Sequence, residues 1–175
     1  MIDDGFEHNP RISRQALAAL HEGAFGWALS LTGYDAQAAE DVMQQAYLAV
    51  LEGSARYGGD SSLKTWLYAV IRNMARRQAR SASLEQARVA EYGASQPADA
   101  ESVAVEAGDE AAARVREAIR ALPERQRQVL ELVIDAEFTL AEAAAVLGIG
   151  VGSARTHYHR AKQTLRAALE QTDGG

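Results

Sequence analysis

The sequence predicts an all-α protein built as two small helical domains joined by an acidic flexible linker. Three observations point there. Alanine and leucine dominate while β-branched residues are sparse, which favours helix over strand. Apolar residues recur at helical spacing before residue 80 and again after residue 114. Between these stretches, SASLEQARVAEYGASQPADAESVAVEAGDEAAA mixes Ser, Gly, Ala, Pro97 and acids with no sustained apolar period. The predicted divisions are 1–80, 81–113 and 114–175, with the linker ends able to extend the neighbouring helices.

The first domain predicts three main helices. Leu17, Leu20, Ala24, Trp27, Ala28 and Leu31 have the spacing of one helical face, placing a helix over 12–31 that Gly33 ends. Asp35 is placed to cap a second helix reaching Glu52, with Ala39, Val42, Met43, Ala46, Tyr47, Val50 and Leu51 as its apolar set. The turn formers around Gly58 require a loop. Ser61 or Ser62 then caps a helix that starts at Leu63, runs past Arg80, and buries Leu63, Leu67, Val70, Ile71 and Met74.

In the second domain a helix ends near Ala121, and Pro123 suits the first turn of the next, which reaches about Ile134. Thr139 and Glu142 have capping-box spacing and open a short helix that Gly148 closes. A last helix begins between Gly150 and Ser153 and runs to about Glu170.

The 175 residues carry a formal net charge of -6, unevenly placed. Residues 1–80 hold 9 acids and 8 bases, 81–113 hold 7 acids and 1 base, and 114–175 hold 8 acids and 9 bases. Two windows contain no acid at all: Ser61 to Leu84, and the stretch between Glu142 and Glu170. On the last helix, Ala154, Tyr158, Ala161, Leu165 and Ala168 form an apolar stripe. Arg155, His159, Lys162 and Arg166 repeat the same spacing one residue later. One packed face and one basic face after a short glycine turn match a helix-turn-helix, whose second helix enters a DNA major groove. Ser153, Arg155, Thr156 and His157 would then approach base edges, and later basic residues would reach the phosphates. In the other window Arg72, Arg76 and Arg80 follow four-residue spacing, with Asn73 and Arg77 in a neighbouring row and Trp66 and Tyr68 just upstream. Aromatics beside arginines suit single-stranded nucleic acid, because bases stack on rings while cations hold phosphates. Core packing is the commoner role of a lone tryptophan, and Trp66 can serve both.

Other classes find little support. There is no cysteine, so no disulfide framework or thiolate metal site. No phosphate-cradling glycine loop, cofactor motif or nucleophile constellation is evident, so neither an enzyme nor a bound cofactor is expected. His157 and His159 lie about 200° apart around a helix, a poor chelating geometry. No apolar run approaches the roughly 20 residues a membrane-spanning helix needs, and MIDDGFEHNPR lacks the pattern of a signal peptide.

AEDVMQQAYLAVLE, SSLKTWLYAVIRNMARRQAR and the block from Leu122 to Leu169 together resemble the sigma factors of bacterial RNA polymerase, in their small extracytoplasmic-function group. The resemblance implies a cytoplasmic protein that directs polymerase to promoters. Region two would bind the clamp of the largest polymerase subunit through the second helix, near Glu40, Asp41, Gln44 and Gln45. It would open the minus-ten element with Gly59, Asp60, Ser61, Lys64, Trp66, Arg72, Asn73, Arg76 and Arg77, the loop from Tyr57 to Ser61 capturing a flipped-out base. Region four would read the minus-thirty-five element through Ser153, Arg155, Thr156, His157, Arg160 and Lys162. An anti-sigma factor is the further implied partner, and the acidic linker would follow the RNA exit path. Gln45, Gly150 and His157 depart from the residues common in the family. Two other functions fit the same residues: a helix-turn-helix regulator independent of polymerase, and a sigma mimic that sequesters an anti-sigma factor.

Overall fold

The structure, a computed structural model, describes residues 5–91 and 110–170. The chain divides into two compact units, Met1–Val103 and Ala104–Gly175. The part of the expected linker between residues 92 and 109 lies outside the described residues.

The first unit holds a two-stranded antiparallel hairpin, β1 (Gly5–Phe6) and β2 (Asn9–Ser13), then α1 (Arg14–Leu31), α2 (Ala36–Leu51) and α3 (Leu63–Glu91). Sequence periodicity places the first helix from residue 12. The structure instead puts Ile12 in β2, 1% exposed, and starts the helix at Arg14. Ser13 makes the boundary: its backbone is extended, and its hydroxyl accepts from the Ala16 N–H at 3.1 Å. Pro10 favours extended backbone just before it. Asp35 caps α2 by accepting from the Ala38 N–H at 2.9 Å. Ser62 caps α3, accepting from the Thr65 N–H at 3.1 Å. α3 continues to Glu91, so the early part of the expected linker is helical.

The three helices pack on one another around Ala24, Trp27, Ala28, Val42, Met43, Ala46, Val50, Leu67 and Ile71. Tyr68 joins this core at 1% exposed rather than lying beside the arginines. It sits two residues after Trp66, about 200° around the helix, so the two rings leave opposite faces. Burial pushes the Tyr68 phenol above its ordinary pKa. The Trp27 indole N–H donates to the Tyr68 carbonyl at 3.2 Å, and the two rings stack 6.2 Å apart. Gly23 permits this approach, since a Cβ there would lie 2.8 Å from the Tyr68 hydroxyl.

The second unit consists of α4 (Glu110–Ala121), α5 (Glu124–Ile134), α6 (Leu140–Leu147) and α7 (Val151–Glu170). Pro123 stands one position before the first turn of α5, as its N-cap with ψ 139. Its carbonyl receives the Gln126 and Arg127 N–H groups at 2.9 and 3.1 Å. The capping box is complete: Thr139 Oγ1 accepts from the Glu142 N–H at 3.2 Å, and Glu142 accepts from the Thr139 N–H at 2.9 Å. Gly148 ends α6 in the left-handed conformation at φ 60, ψ 40. α7 packs against α4, α5 and α6.

Thr139→Ala removes the hydroxyl half of the capping box, leaving the backbone N–H to Glu142, and is expected to cost about 1–2 kcal/mol. Hydrogen exchange of the 140–147 amides in the full chain, which should accelerate about tenfold, measures it.

Candidate nucleic-acid interface

α3 carries two kinds of surface in succession. Its first half supplies Leu67, Tyr68, Val70, Ile71 and Ala75 to the core. From Arg76 to Arg88 every residue except Gln78 is exposed. Where the two meet, a cleft of about 590 Å³ opens, lined on the α3 side by Trp66, Val70, Asn73, Met74, Arg76, Arg77 and Arg80. Ser54, Ala55 and Arg56, from the loop between α2 and α3, form its other wall. Trp66 is half-buried there, its ring 5.3 Å from that of Tyr57 and tilted by 50°. Four arginines, Arg56, Arg76, Arg77 and Arg80, therefore line the same cleft as a half-buried indole. That set can hold phosphates and stack a base.

Of the residues singled out from sequence, the cleft gathers Trp66, Asn73, Arg76 and Arg77. Gly59, Asp60 and Ser61 are exposed on the loop, and Lys64 is half-buried at the start of α3, all outside the cleft lining. Arg72 differs from expectation. It is 5% exposed and does not share an outward face with Arg76 and Arg80. Four residues advance a helix by about 400°, so each step of such a row drifts about 40°. Arg72 falls on the core side of that drift, beside Ile71 and Ala75. Sequence reasoning missed the loop wall, including Arg56. It also missed β2, from which Arg11 Nη1 donates to the Gly58 carbonyl at 2.6 Å.

On α2, Glu40, Gln44 and Gln45 are exposed. Asp41 is half-buried and accepts from Gln37 Nε2 at 3.4 Å. One turn on, Leu48 and Leu51 are 52% and 47% exposed, extending that polar face with an apolar one.

In the second unit, Ala154 and Ala161 are fully buried. Ala161 packs with Leu122 and Leu130, and Ile119, Tyr158 and Leu165 lie against that cluster. The stripe predicted from spacing is thus the docking face of α7. Ser153, Arg155, Thr156, His159, Arg160, Lys162 and Arg166 are exposed. The Thr156 hydroxyl donates to the Gly152 carbonyl at 3.0 Å. The Lys162 ammonium stands 5.4 Å from the centre of the Tyr158 ring. His157 is half-buried, with Nδ1 shielded, and is less available than its neighbours. Among the described residues, no group of three or more His, Cys, Asp or Glu is placed to hold a metal ion. No helix there is long and apolar enough to cross a membrane.

An α6–turn–α7 pair with a packed face and a cationic face defines a helix-turn-helix protein. Comparison with known proteins makes the class specific. Residues 17–85 match the family described as Sigma-70 region 2, and residues 112–165 match Sigma-70, region 4. The chain is 31% identical over 147 residues to the ECF RNA polymerase sigma factor EcfG of Rhodopseudomonas palustris, covering 82% of this chain and 77% of that protein. It is 30% identical over 146 residues to the RNA polymerase sigma-H factor of Pseudomonas aeruginosa, covering 78% and 76%. Its fold resembles the sigma factor RpoE of Bartonella quintana, solved with the anti-sigma factor NepR, at TM-score 0.68, 24% identity and 90% and 96% coverage. It also resembles CnrH, solved with the cytosolic domain of CnrY, at TM-score 0.59, 25% identity and 90% and 87% coverage. The chain belongs to the sigma-70 family, in its ECF group. It is a sigma factor, a protein that directs RNA polymerase to promoters.

Ala161→Leu is expected to push α7 off its seat and destabilise the second unit by about 1–3 kcal/mol. Urea unfolding of the full chain, followed by circular dichroism, checks this.

Proposed function

We propose that the chain opens promoter DNA with its first unit and grips duplex DNA with its second, while α2 docks on the clamp of the largest subunit of core RNA polymerase. The observation that carries this reading is the pair of cationic surfaces, one on each unit: the cleft around Trp66 and the outer face of α7. At the minus-ten element, a base leaving the stack finds an indole to stack on and arginines for the flanking phosphates. Unstacking costs a few kcal/mol, which those contacts offset. Asn73, Arg76 and Arg77 hold the strand there, and Gly59, Asp60 and Ser61 supply the loop that receives the base. Arg72, being buried, acts from within the bundle rather than on the DNA. At the minus-thirty-five element, Ser153, Arg155, Thr156, His157 and Arg160 face base edges, and Lys162 reaches the backbone. Glu40, Asp41, Gln44 and Gln45 form the clamp contact.

The protein works in the cytoplasm, with no cofactor and no catalysis of its own. An anti-sigma factor is its regulatory partner; the similarly folded sigma factor RpoE is solved in complex with the anti-sigma factor NepR.

Run-off transcription with purified core polymerase on a genomic fragment library tests this reading and identifies both promoter elements. The double change Arg76→Glu/Arg77→Glu should lower output by roughly a hundredfold or more, because it sets like charge against phosphate. Core binding should persist. Unchanged output would favour a sigma mimic, and failure of the parent chain to bind core would favour a polymerase-independent regulator.

Free protein should bind duplex DNA weakly, with affinity falling steeply as salt rises. Fluorescence anisotropy across a salt series reads this, and tight binding at physiological salt without polymerase would contradict it.

A further inference from the structure

The N-terminal strand reaches into the loop that faces the candidate DNA cleft, and it does so through one buried amide. Asn9 is 3% exposed. Its Nδ2 donates to the Val50 carbonyl at 2.7 Å and to the Ala55 carbonyl at 2.9 Å. Its Oδ1 accepts from the Tyr57 N–H at 2.8 Å. Both amide donors are therefore used, together with one acceptor site. Val50 lies in the last turn of α2, where carbonyls lack helical partners. Asn9 fills one of these and ties that helix end to the backbone on both sides of Arg56.

Two further contacts point the same way. Arg11, two residues on and exposed, donates to the Gly58 carbonyl. Gly53, at φ +73, lies so close to His8 that a Cβ would fall 2.6 Å from the His8 Cβ. The loop so held carries consequences outward. Ala55 and Arg56 are the cleft wall facing α3. Tyr57 donates its hydroxyl proton to the Ser61 carbonyl at 2.6 Å and packs its ring on Trp66.

We infer that Asn9 is a positioning residue for promoter opening: its amide holds the 53–61 loop in the shape that receives an unstacked nucleotide. This rests on the proposed role of the cleft at the minus-ten element. The physical reason is preorganisation. A loop already fixed in its binding conformation loses little freedom on capture, whereas a slack loop must be ordered at the expense of binding. Among the described residues no other side chain bonds to Val50, Ala55 and Tyr57 together, so the amide has no substitute there.

The test uses holoenzyme assembled from the full chain and core polymerase, on a promoter fragment found by run-off transcription and carrying 2-aminopurine in the minus-ten element. Fluorescence rises when that base unstacks. Asn9→Ala should reduce the opening equilibrium read from this rise by roughly five- to thirtyfold, with core affinity unchanged. Hydrogen exchange at Tyr57 should accelerate in the same variant. A parent-like fluorescence rise overturns the inference. If Asn9→Ala fails to fold or to bind core, Arg11→Ala decides, since its bond to the loop is exposed. A smaller rise with an unchanged salt slope supports the brace. A parent-like rise, or a slope reduced by about one as for a lost phosphate contact, overturns it. Absence of any promoter-dependent signal in the parent chain would instead count against the role assigned to the cleft.

Discussion

The Trp27 indole N–H ends on the carbonyl of Tyr68, and that contact fixes α3 against α1. The rest of the hold on this half-solvated helix of 29 residues is the apolar packing of its first half on α1 and α2. Its packed half stops at Ala75, and from Arg76 to Arg88 every side chain except that of Gln78 is exposed. The cleft lies at this exit point. It needs one end of α3 to be immobile, so that Trp66 and Asn73 stay in place. It needs the other end to be free of the core, so that Arg76, Arg77 and Arg80 remain charged without the heavy penalty of desolvation. The transition from core to cation therefore runs along the helix axis as well as around it. Tyr68 acts as a bolt in this arrangement: its ring stacks on Trp27, its carbonyl takes the indole N–H, and Gly23 makes room for it.

The second unit solves the same problem by circumference. α7 keeps its two surfaces on different sides along its length. Small residues make that possible: Ala154 and Ala161, two turns apart, let the helix lie close on its neighbours while long cations leave from the other side. The approach angle is set locally, by the capping box at the start of α6 and the left-handed Gly148 at its end. A basic helix is thus aimed by three residues that carry no charge toward DNA.

Those local devices explain which features were legible in the sequence. Asp35, Ser62, Thr139 with Glu142, and Gly148 each act within a few residues, and the structure has them at the helix ends where spacing puts them. The stripe on α7 followed from period alone. The cleft was half legible: Trp66, Asn73, Arg76 and Arg77 line it, but its other wall comes from the loop. What failed did so for geometric reasons. Spacing groups Arg72 with Arg76, yet the drift of a four-residue row carries it under the surface. Proximity in sequence sets Tyr68 beside Trp66, but on a helix two residues' separation parts the rings rather than joining them. The Asn9 contacts bridge more than 40 residues. No periodicity announces a polar residue whose partners are backbone groups that far away.

An acidic protein with a DNA task raises an apparent conflict, and the distribution of charge resolves it. Fields of surface charges fade over about 8 Å at physiological salt, so a phosphate responds to the side chains it meets, not to the total of -6. The 7 acids of 81–113 face a single base, and the flanks are nearly neutral. Each cationic surface is also small. Alone, neither would hold DNA firmly against competing salt. Joined on one chain, the second contact becomes intramolecular once the first is made, and affinity then depends on whether both sites can be reached together. Weak single contacts have a functional advantage on this reading. A protein whose units each bound duplex tightly would occupy any DNA it met. One that needs both surfaces engaged, held by a third body, responds only where the two elements stand at the right separation.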